Sequence, residues 1–446
     1  MPEDRVGRPP PPPQHFRLNL EQQKTRAKEL LRDVKAGIPE ALARVAAQRD
    51  DAGSPRMSAA LQTTAKLADA QFTIARELRL PSWAKLKAHI ESMERQRDAI
   101  GRKQTAPDAE MKTLHLRCGH DIMNTLKEAG FVGDFLPHTN PYCQGPLTNT
   151  PDYHEKRARF VYDGFERWFP ERKVTLEGLI EGFRRDDEEV LEAADRYERV
   201  VLWAEHDNMD QIMLIRVFAL YANERRPRTF ELLGLNEFPG AFRFIGLGQL
   251  PPEALRLLWP TRRPVTPGQL TFGARAWDAV RLEDPRPFSK IAAMKAAPLP
   301  HLPRAAQRHL QELPSVENGL GLTEQLVLQA VSERDSRTLN EVFQLLYVYG
   351  REPLPYMGDA GMANVIRCME RAAEPPFVRK EQEAGEREFR NLLTITDAGR
   401  QVLARKRDWH SLKPPERWVG GVRIQPGKPG WRWSETKREP VMVDPR

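Results

Sequence analysis

Cysteine is scarce: the 446-residue chain has 3, Cys118, Cys143 and Cys368, and no two of them form a CxxC pair. That excludes a disulfide-built scaffold and fits a reducing cytosol. No stretch approaches the ~18 consecutive apolar residues that a membrane helix needs. The opening MPEDRVGRPPPPPQ has no apolar core of the secretory type, so the expected location is cytoplasmic, with no membrane partner. GxGxxG and the Walker A pattern are both missing, which leaves dinucleotide and P-loop nucleotide binding without their usual motifs. What the chain does have is 40% hydrophobic residues, enough for packed cores. Its length corresponds to about two to four domains of roughly 100–200 residues each.

Charge is plentiful but uneven. The formal net charge is +7; residues 1–110 contribute +5, residues 397–446 contribute +6, and the centre is net −4. A nucleic-acid footprint needs positive charge gathered on one surface. The C-terminal stretch fits that loosely through Arg405, Lys406, Arg407, Lys413, Arg417, Arg423 and Lys428. A solvated basic tail explains the same residues, so nucleic acid is an alternative partner and not the favoured one.

The expected fold class is α/β: a Rossmann-like, mostly parallel sheet, flanked by an N-terminal helical module and a C-terminal winged-helix domain. Residues 1–15 read as a disordered Pro-rich leader, and 16–95 as the helical module, with Gly37 as a helix stop and Ser82 as an N-cap. Residues 96–110 read as a polar linker. In 111–310, strands are expected at 113–117, 132–137, 199–203 and 229–235, with helices at 121–129, 157–168, 176–197 and 209–221. Such strand–helix alternation argues for a parallel sheet. Residues 311–408 hold three helical stretches and then a hairpin, 377–379 and 391–395, the order of a winged helix-turn-helix. Residues 409–446 read as a Trp-, Pro- and Gly-rich basic tail over the surface.

Four loops carry the polar residues that could do chemistry. Glu205, His206, Asp207 and Asp210 follow the most apolar strand and open a helix, the position where open α/β sheets bind ligands. Carboxylates and a histidine so placed suit general acid–base work or divalent-metal binding, although Asp207 and Asp210 also resemble a helix cap. Gly119 and Asp121 follow the first strand, where a tight turn brings backbone close to an anion. Asn140, Gln144 and Gly145 lie in the loop after the second strand, with Cys143 as a nucleophile candidate and His120, His138 or His206 as its base. Arg243, in the Gly-rich stretch after the fourth strand, could meet an anionic group.

The segment LADAQFTIARELRLPSWAKLKAHIES resembles a small helical module at the N-termini of various bacterial proteins, including some ankyrin-repeat proteins, which implies docking to a protein partner. LHLRCGHDIMNTLKEAGFVGDFL, NPYCQGP, VVLWAEHDNMDQIMLIR, FIGLGQLPPEAL and AWDAVR together resemble the bacterial domain-of-unknown-function family 1835. HLQELPSVENGLGLTE, PYMGD and LTITDAGRQVL resemble its winged-helix-like companion domain, family 3658. The resemblance implies an architecture and site positions, and no reaction. The expected function is binding of a small polar or phosphorylated ligand at the strand ends, with hydrolysis or transfer. Asp121, Glu205, His206, Asp207 and Asp210 would be the acid–base groups, and Gly119, Asn140, Gln144, Gly145 and Arg243 the ligand-holding groups. No cofactor and no metal is assigned. The alternatives are a nucleic-acid-binding regulator and a non-catalytic scaffold.

Overall fold

A computed structural model describes residues 16–48, 62–165, 174–223, 225–241, 243–380 and 390–444. The expected leader, 1–15, and the stretch 381–389 lie outside the described residues. The chain divides into two compact units, one formed by Met1–Glu110, Asp121–Val132 and Leu235–Thr261, the other by Met111–His120, Gly133–Gly234 and Arg262–Arg446. This division has a breakpoint at 110/111 and none at 310/311.

In the first unit, helices α1 (Leu20–Lys35), α2 (Pro39–Ala46), α3 (Leu67–Glu77) and α4 (Trp83–Gly101) enclose Ala27, Leu30, Val34, Leu42, Ile74, Leu86 and Ile90. Ser82 caps α4, accepting from the Lys85 N–H at 3.3 Å, as its position before an apolar-periodic stretch predicts. Helix α4 runs on to Gly101, into the stretch expected to be a linker. The reason is electrostatic as well as apolar. Arg97 reaches Glu253 at 2.9 Å, and Arg17 meets the same carboxylate at 2.9 Å, with Glu253 itself buried. Long-range contacts of this kind draw the later segments 121–132 and 235–261 into the helical module.

The second unit holds a five-stranded sheet of β1 (Thr113–Cys118), β2 (Asp134–His138), β3 (Arg199–Glu205), β4 (Thr229–Leu235) and β5 (Arg263–Pro264). Their order is β2-β1-β3-β4-β5. Strands β1, β2 and β3 run parallel, and β5 is antiparallel to β4. Every residue of β3 is buried, the signature of a strand covered on both faces. Helices α5 (Tyr153–Phe165), α6 (Leu176–Arg196), α7 (Asn208–Asn223), α8 (Pro267–Val280), α9 (Arg286–Ala292) and α10 (Leu302–Leu310) complete this part. Leu114, Leu116, Val200, Leu202 and Ala204 from one face of the sheet pack with Ile212, Ile215 and Phe218 of α7 and Trp277 of α8. Each large apolar side chain buried there contributes roughly 1.5–3 kcal/mol.

The C-terminal part of the same unit follows the order α11 (Leu322–Ser332), β6 (Ser336–Thr338), α12 (Leu339–Phe343, continuing as a π-turn over Gln344–Val348), α13 (Asp359–Glu370), β7 (Phe377–Lys380), β8 (Leu392–Ile395) and α14 (Asp397–Leu403). The expected hairpin is present, and β6 adds a third strand in the antiparallel order β6-β8-β7. Arg308 of α10 ties the two parts together. Its buried guanidinium meets Glu352 at 2.8 Å, Glu312 at 2.6 Å and the Thr323 hydroxyl at 2.8 Å.

The tail differs from the surface strap that its composition suggests. It forms two hairpins, β9 (Arg417–Val419) with β10 (Val422–Ile424), and β11 (Gly430–Ser434) with β12 (Glu439–Val443). Val419, Val422, Ile424 and Trp433 are buried in the same cluster as the parallel sheet. The turn between β9 and β10 docks by its backbone: the Gly421 N–H donates to the Val280 carbonyl at 2.9 Å, and the Gly420 carbonyl accepts from the Leu147 N–H at 2.9 Å. A Cβ on Gly421 would lie 2.1 Å from the Arg281 carbonyl oxygen. Gly421→Ala is therefore expected to cost about 1–3 kcal/mol through overpacking against fixed backbone. The urea-unfolding midpoint reads this directly, and an unchanged midpoint would show that the hairpin does not depend on the close approach.

Candidate functional site

The carboxyl ends of β2, β1 and β3 lie side by side because the strands are parallel and in register, with Cys118 opposite His138 and Arg117 opposite both Pro137 and Trp203. Their strand-end loops therefore share one edge of the sheet. Beyond β3 the chain turns through His206 and Asp207 into α7. Local hydrogen bonding explains the turn: Asp207 Oδ1 accepts from the Asp210 backbone N–H at 3.0 Å, in the manner of a helix N-cap, and Asp210 Oδ1 accepts from the Glu205 N–H at 2.8 Å. Gln211 donates through Nε2 to the Glu205 carbonyl.

Glu205, His206, Asp207 and Asp210 are thus brought together, and all are more than nine-tenths buried. Arg117, from β1, is the residue that sequence reasoning missed. Its Nη2 meets Glu205 and its Nη1 meets Asp210, with all three side chains about 5% exposed or less. The available signal was the alternation Thr113, His115, Arg117 along a buried strand, which puts three polar side chains on one face. Asp207 forms a side-chain hydrogen bond with Glu205 and has no ion pair of its own among the described residues. Burial, reinforced by the charge of Asp210, pushes its carboxyl up to about 7. Ligand oxygens of Glu205, Asp207 and Asp210 lie within 4.8 Å of one another, a hard-oxygen set that would suit a divalent cation. Arg117 already engages two of the three carboxylates, so a cation would compete with it. The His206 ring stands 6.4 Å from His301, edge to face.

The loop after β2 is organised by another arginine that the sequence did not mark. Arg157 of α5 is fully buried and donates to Asn140 Oδ1, to the Pro141 carbonyl at 3.0 Å and to the Gln144 carbonyl. Asn140 thereby holds the loop. Gln144 turns toward the C-terminal part, donating to the Gly361 carbonyl at 3.2 Å. Gly145 has a packing role instead of the expected ligand contact: its φ is +76°, and a Cβ there would lie 2.4 Å from the Phe160 ring. Gly119 also has positive φ, +85°, but a Cβ would meet nothing within 4 Å, so backbone is open at this turn. Asp121 and Arg243 belong to the other compact unit. Asp121 is exposed there and lies beside Gly248.

The nucleophile reading of Cys143 does not survive burial. Its thiol is pushed up to about 12, chiefly by desolvation, and Sγ lies 3.5 Å from Met209 Sδ. His138, a candidate base, is driven by burial down to about 4, and its Nε2 faces the Tyr142 hydroxyl at 3.4 Å.

Comparison with family models, with curated proteins and with solved structures finds no match to the chain.

Two stability measurements check this geometry. Arg117→Met leaves Glu205 and Asp210 buried without a countercharge, with an expected loss of roughly 3–5 kcal/mol near pH 8. The loss should shrink toward pH 5, because the uncompensated carboxylates then take up protons; a deficit independent of pH would contradict the ion-pair geometry. For Asp207 the folded value, about 7, lies above the ordinary carboxylate value. Its contribution is therefore fully present below about pH 4 and is lost as the pH rises through about 7. Asp207→Asn keeps a capping oxygen and does not titrate. Its stability, measured by urea unfolding, should gain on the wild type between pH 4 and 8.

Proposed function

We propose that the strand-end site of the second unit binds a small polar or phosphorylated ligand and moves a proton to or from it through Asp207, in a hydrolysis or group-transfer step. The observation that carries this reading is a buried carboxyl, pushed up to about 7, beside two carboxylates that share the single guanidinium of Arg117. A general acid–base group works best when its pKa lies near the operating pH. Neighbouring carboxyls whose environments differ in this way commonly divide acid–base and electrostatic roles. Position supports the reading too, since open α/β sheets bind ligands where the strand order changes direction, here between β1 and β3.

We also read the sheet as Rossmann-like and α11 to α14 as winged-helix-like, and we retain the resemblance to families 1835 and 3658. The order of helices and strands supports the fold part of that reading. Use of this region on nucleic acid has less support. Arg405, Arg407, Arg417 and Arg423 pair with Glu317, Glu374, Glu324 and Glu416. On α13, Arg367 is buried and donates to the Gly164 carbonyl at 2.6 Å, while Arg379 of β7 pairs with Glu370. Charges matched within the fold are poorly placed to meet phosphates.

Hydrolysis of p-nitrophenyl phosphate and p-nitrophenyl acetate, followed from pH 5 to 9, tests the proposal. Turnover should show an inflection near pH 7 that disappears in Asp207→Asn, with a rate loss of roughly 100-fold or more. Turnover by the Asn variant equal to that of the wild type, or none by either protein on both esters, would count against proton transfer at Asp207.

A further inference from the structure

A second polar cluster in the same unit lies apart from the groups used above. It is built on α5, α6, α7, α8 and the loop after β2. Asp187 of α6 pairs with Arg216 of α7, and the His154 Nε2 lies 3.4 Å from the same carboxylate. Arg216 also stands over the Trp277 ring at 5.1 Å. Arg281, at the end of α8, stands over the same ring at 5.5 Å and over Tyr153 at 5.3 Å. Tyr142 packs edge-on against Trp277 at 5.4 Å, and His138 against Tyr142 at 5.4 Å.

Two features of this cluster point the same way. The first is charge. Arg157, Arg216 and Arg281 converge on it, and Asp187 is the buried carboxylate that answers them. Asp278, which also acts on Arg281, is exposed, and Asp186 is half-buried, with its carboxyl pushed up to about 6 by burial and by Asp187. Three guanidiniums thus face Asp187 and a mostly ionised Asp186, an excess of about one positive charge at pH 7. The second feature is spare donors. Tyr153 Oη and Trp277 Nε1 are buried without a hydrogen-bond partner among the described residues, as is His138 Nδ1. An indole N–H can only donate, so the missing partner of Trp277 is an acceptor. Arg216 uses Nε and Nη2 on Asp187, and Arg281 uses Nε and Nη2 on the Thr148 carbonyl, which leaves Nη1 of each outside those bonds. Arg157 is taken up by Asn140 and backbone carbonyls, so it supplies charge and not contact.

We infer that Arg216, Arg281, Tyr153 and Trp277 form a binding site for a phosphoryl group. A phosphate monoester carries negative charge, which the excess of arginine attracts, and three strong acceptor oxygens, which match the unused donors. Guanidinium groups suit phosphate oxygens geometrically, and the aromatic shell lowers the local dielectric, which strengthens each contact. This inference does not depend on proton transfer at Asp207.

Inorganic phosphate is the probe, titrated into the full chain by calorimetry and by thermal unfolding, with sodium chloride and sodium acetate at matched ionic strength as references. Phosphate is expected to raise the unfolding temperature beyond either reference. Tyr153→Phe is the decisive variant. It removes a buried hydroxyl without a protein partner, so it should fold at least as stably as the wild type, yet its phosphate affinity should fall roughly tenfold. Arg281→Ala should lose affinity further. A response to phosphate no greater than to chloride, a preference for acetate, or unchanged affinity in Tyr153→Phe would each overturn the assignment.

Discussion

The carboxyl edge of the sheet depends on one interaction, the buried guanidinium of Arg117 held between Glu205 and Asp210. A charge taken out of water is costly unless it is paired and hydrogen-bonded. Arg117 meets that requirement for two carboxylates at once, and in doing so it fixes the end of β1 to the end of β3 and to the first turn of α7. The loop between β3 and α7 then has little freedom. Asp210 also receives the Glu205 N–H, and Asp207 receives the Asp210 N–H. Once two carboxylates share one guanidinium, the third, Asp207, has only hydrogen bonds with Glu205 and the Asp210 N–H to set against burial and the charge of Asp210. Its raised pKa follows from the arrangement of the other three groups.

Much of this was legible in the sequence, for identifiable reasons. The run from Arg199 to Trp203 is apolar enough to demand burial on both faces, and the polar residues behind it had to mark the end of a strand. That reasoning locates Glu205, His206, Asp207 and Asp210 without knowledge of the fold. It could not supply Arg117. An arginine within a strand most often lies on a solvated face, and its partners here are 88 and 93 residues away. Arg157 was hidden for the same reason, because it stabilises the loop after β2 from a helix that follows it. Gly145 shows the converse failure. A glycine in a polar loop suggests close approach of a ligand, whereas the Phe160 ring is what approaches it.

The tail was misjudged through composition. Pro, Gly and Lys or Arg dominate residues 409–446, and such a stretch reads as solvated. Val419, Val422, Ile424 and Trp433 are few, but two-residue periodicity in short hairpins needs only a few apolar positions to bury one face. The helical module likewise recruits segments more than a hundred residues away through contacts such as Arg97 with Glu253, which no local window can register. Net charge misled in a similar way. The +7 of the chain suggested a basic surface, yet Arg405, Arg407, Arg417 and Arg423 are paired, and Arg157, Arg216 and Arg281 gather inside a region whose sum is negative.

Two buried acid–arginine networks differ in how their acids are paired. Around Arg308, every carboxylate has a cation and the surrounding hydroxyls are used. Glu352 and Glu312 share Arg308, Glu312 also accepts from Thr323, and Glu324 meets Arg417 at 3.2 Å. Glu312 stays below its ordinary value despite burial, because Arg308 and the Thr323 hydroxyl outweigh desolvation. This network joins α10 to the C-terminal helices, and Glu312, Glu324, Tyr356 and Arg417 also line a pocket there. At the carboxyl edge the acid count exceeds the cation count by two, and around Trp277 the cation count exceeds the acid count. The two networks share one device, a single buried guanidinium between two carboxylates, and differ in the third acid: Glu324 has Arg417, whereas Asp207 has no ion pair among the described residues.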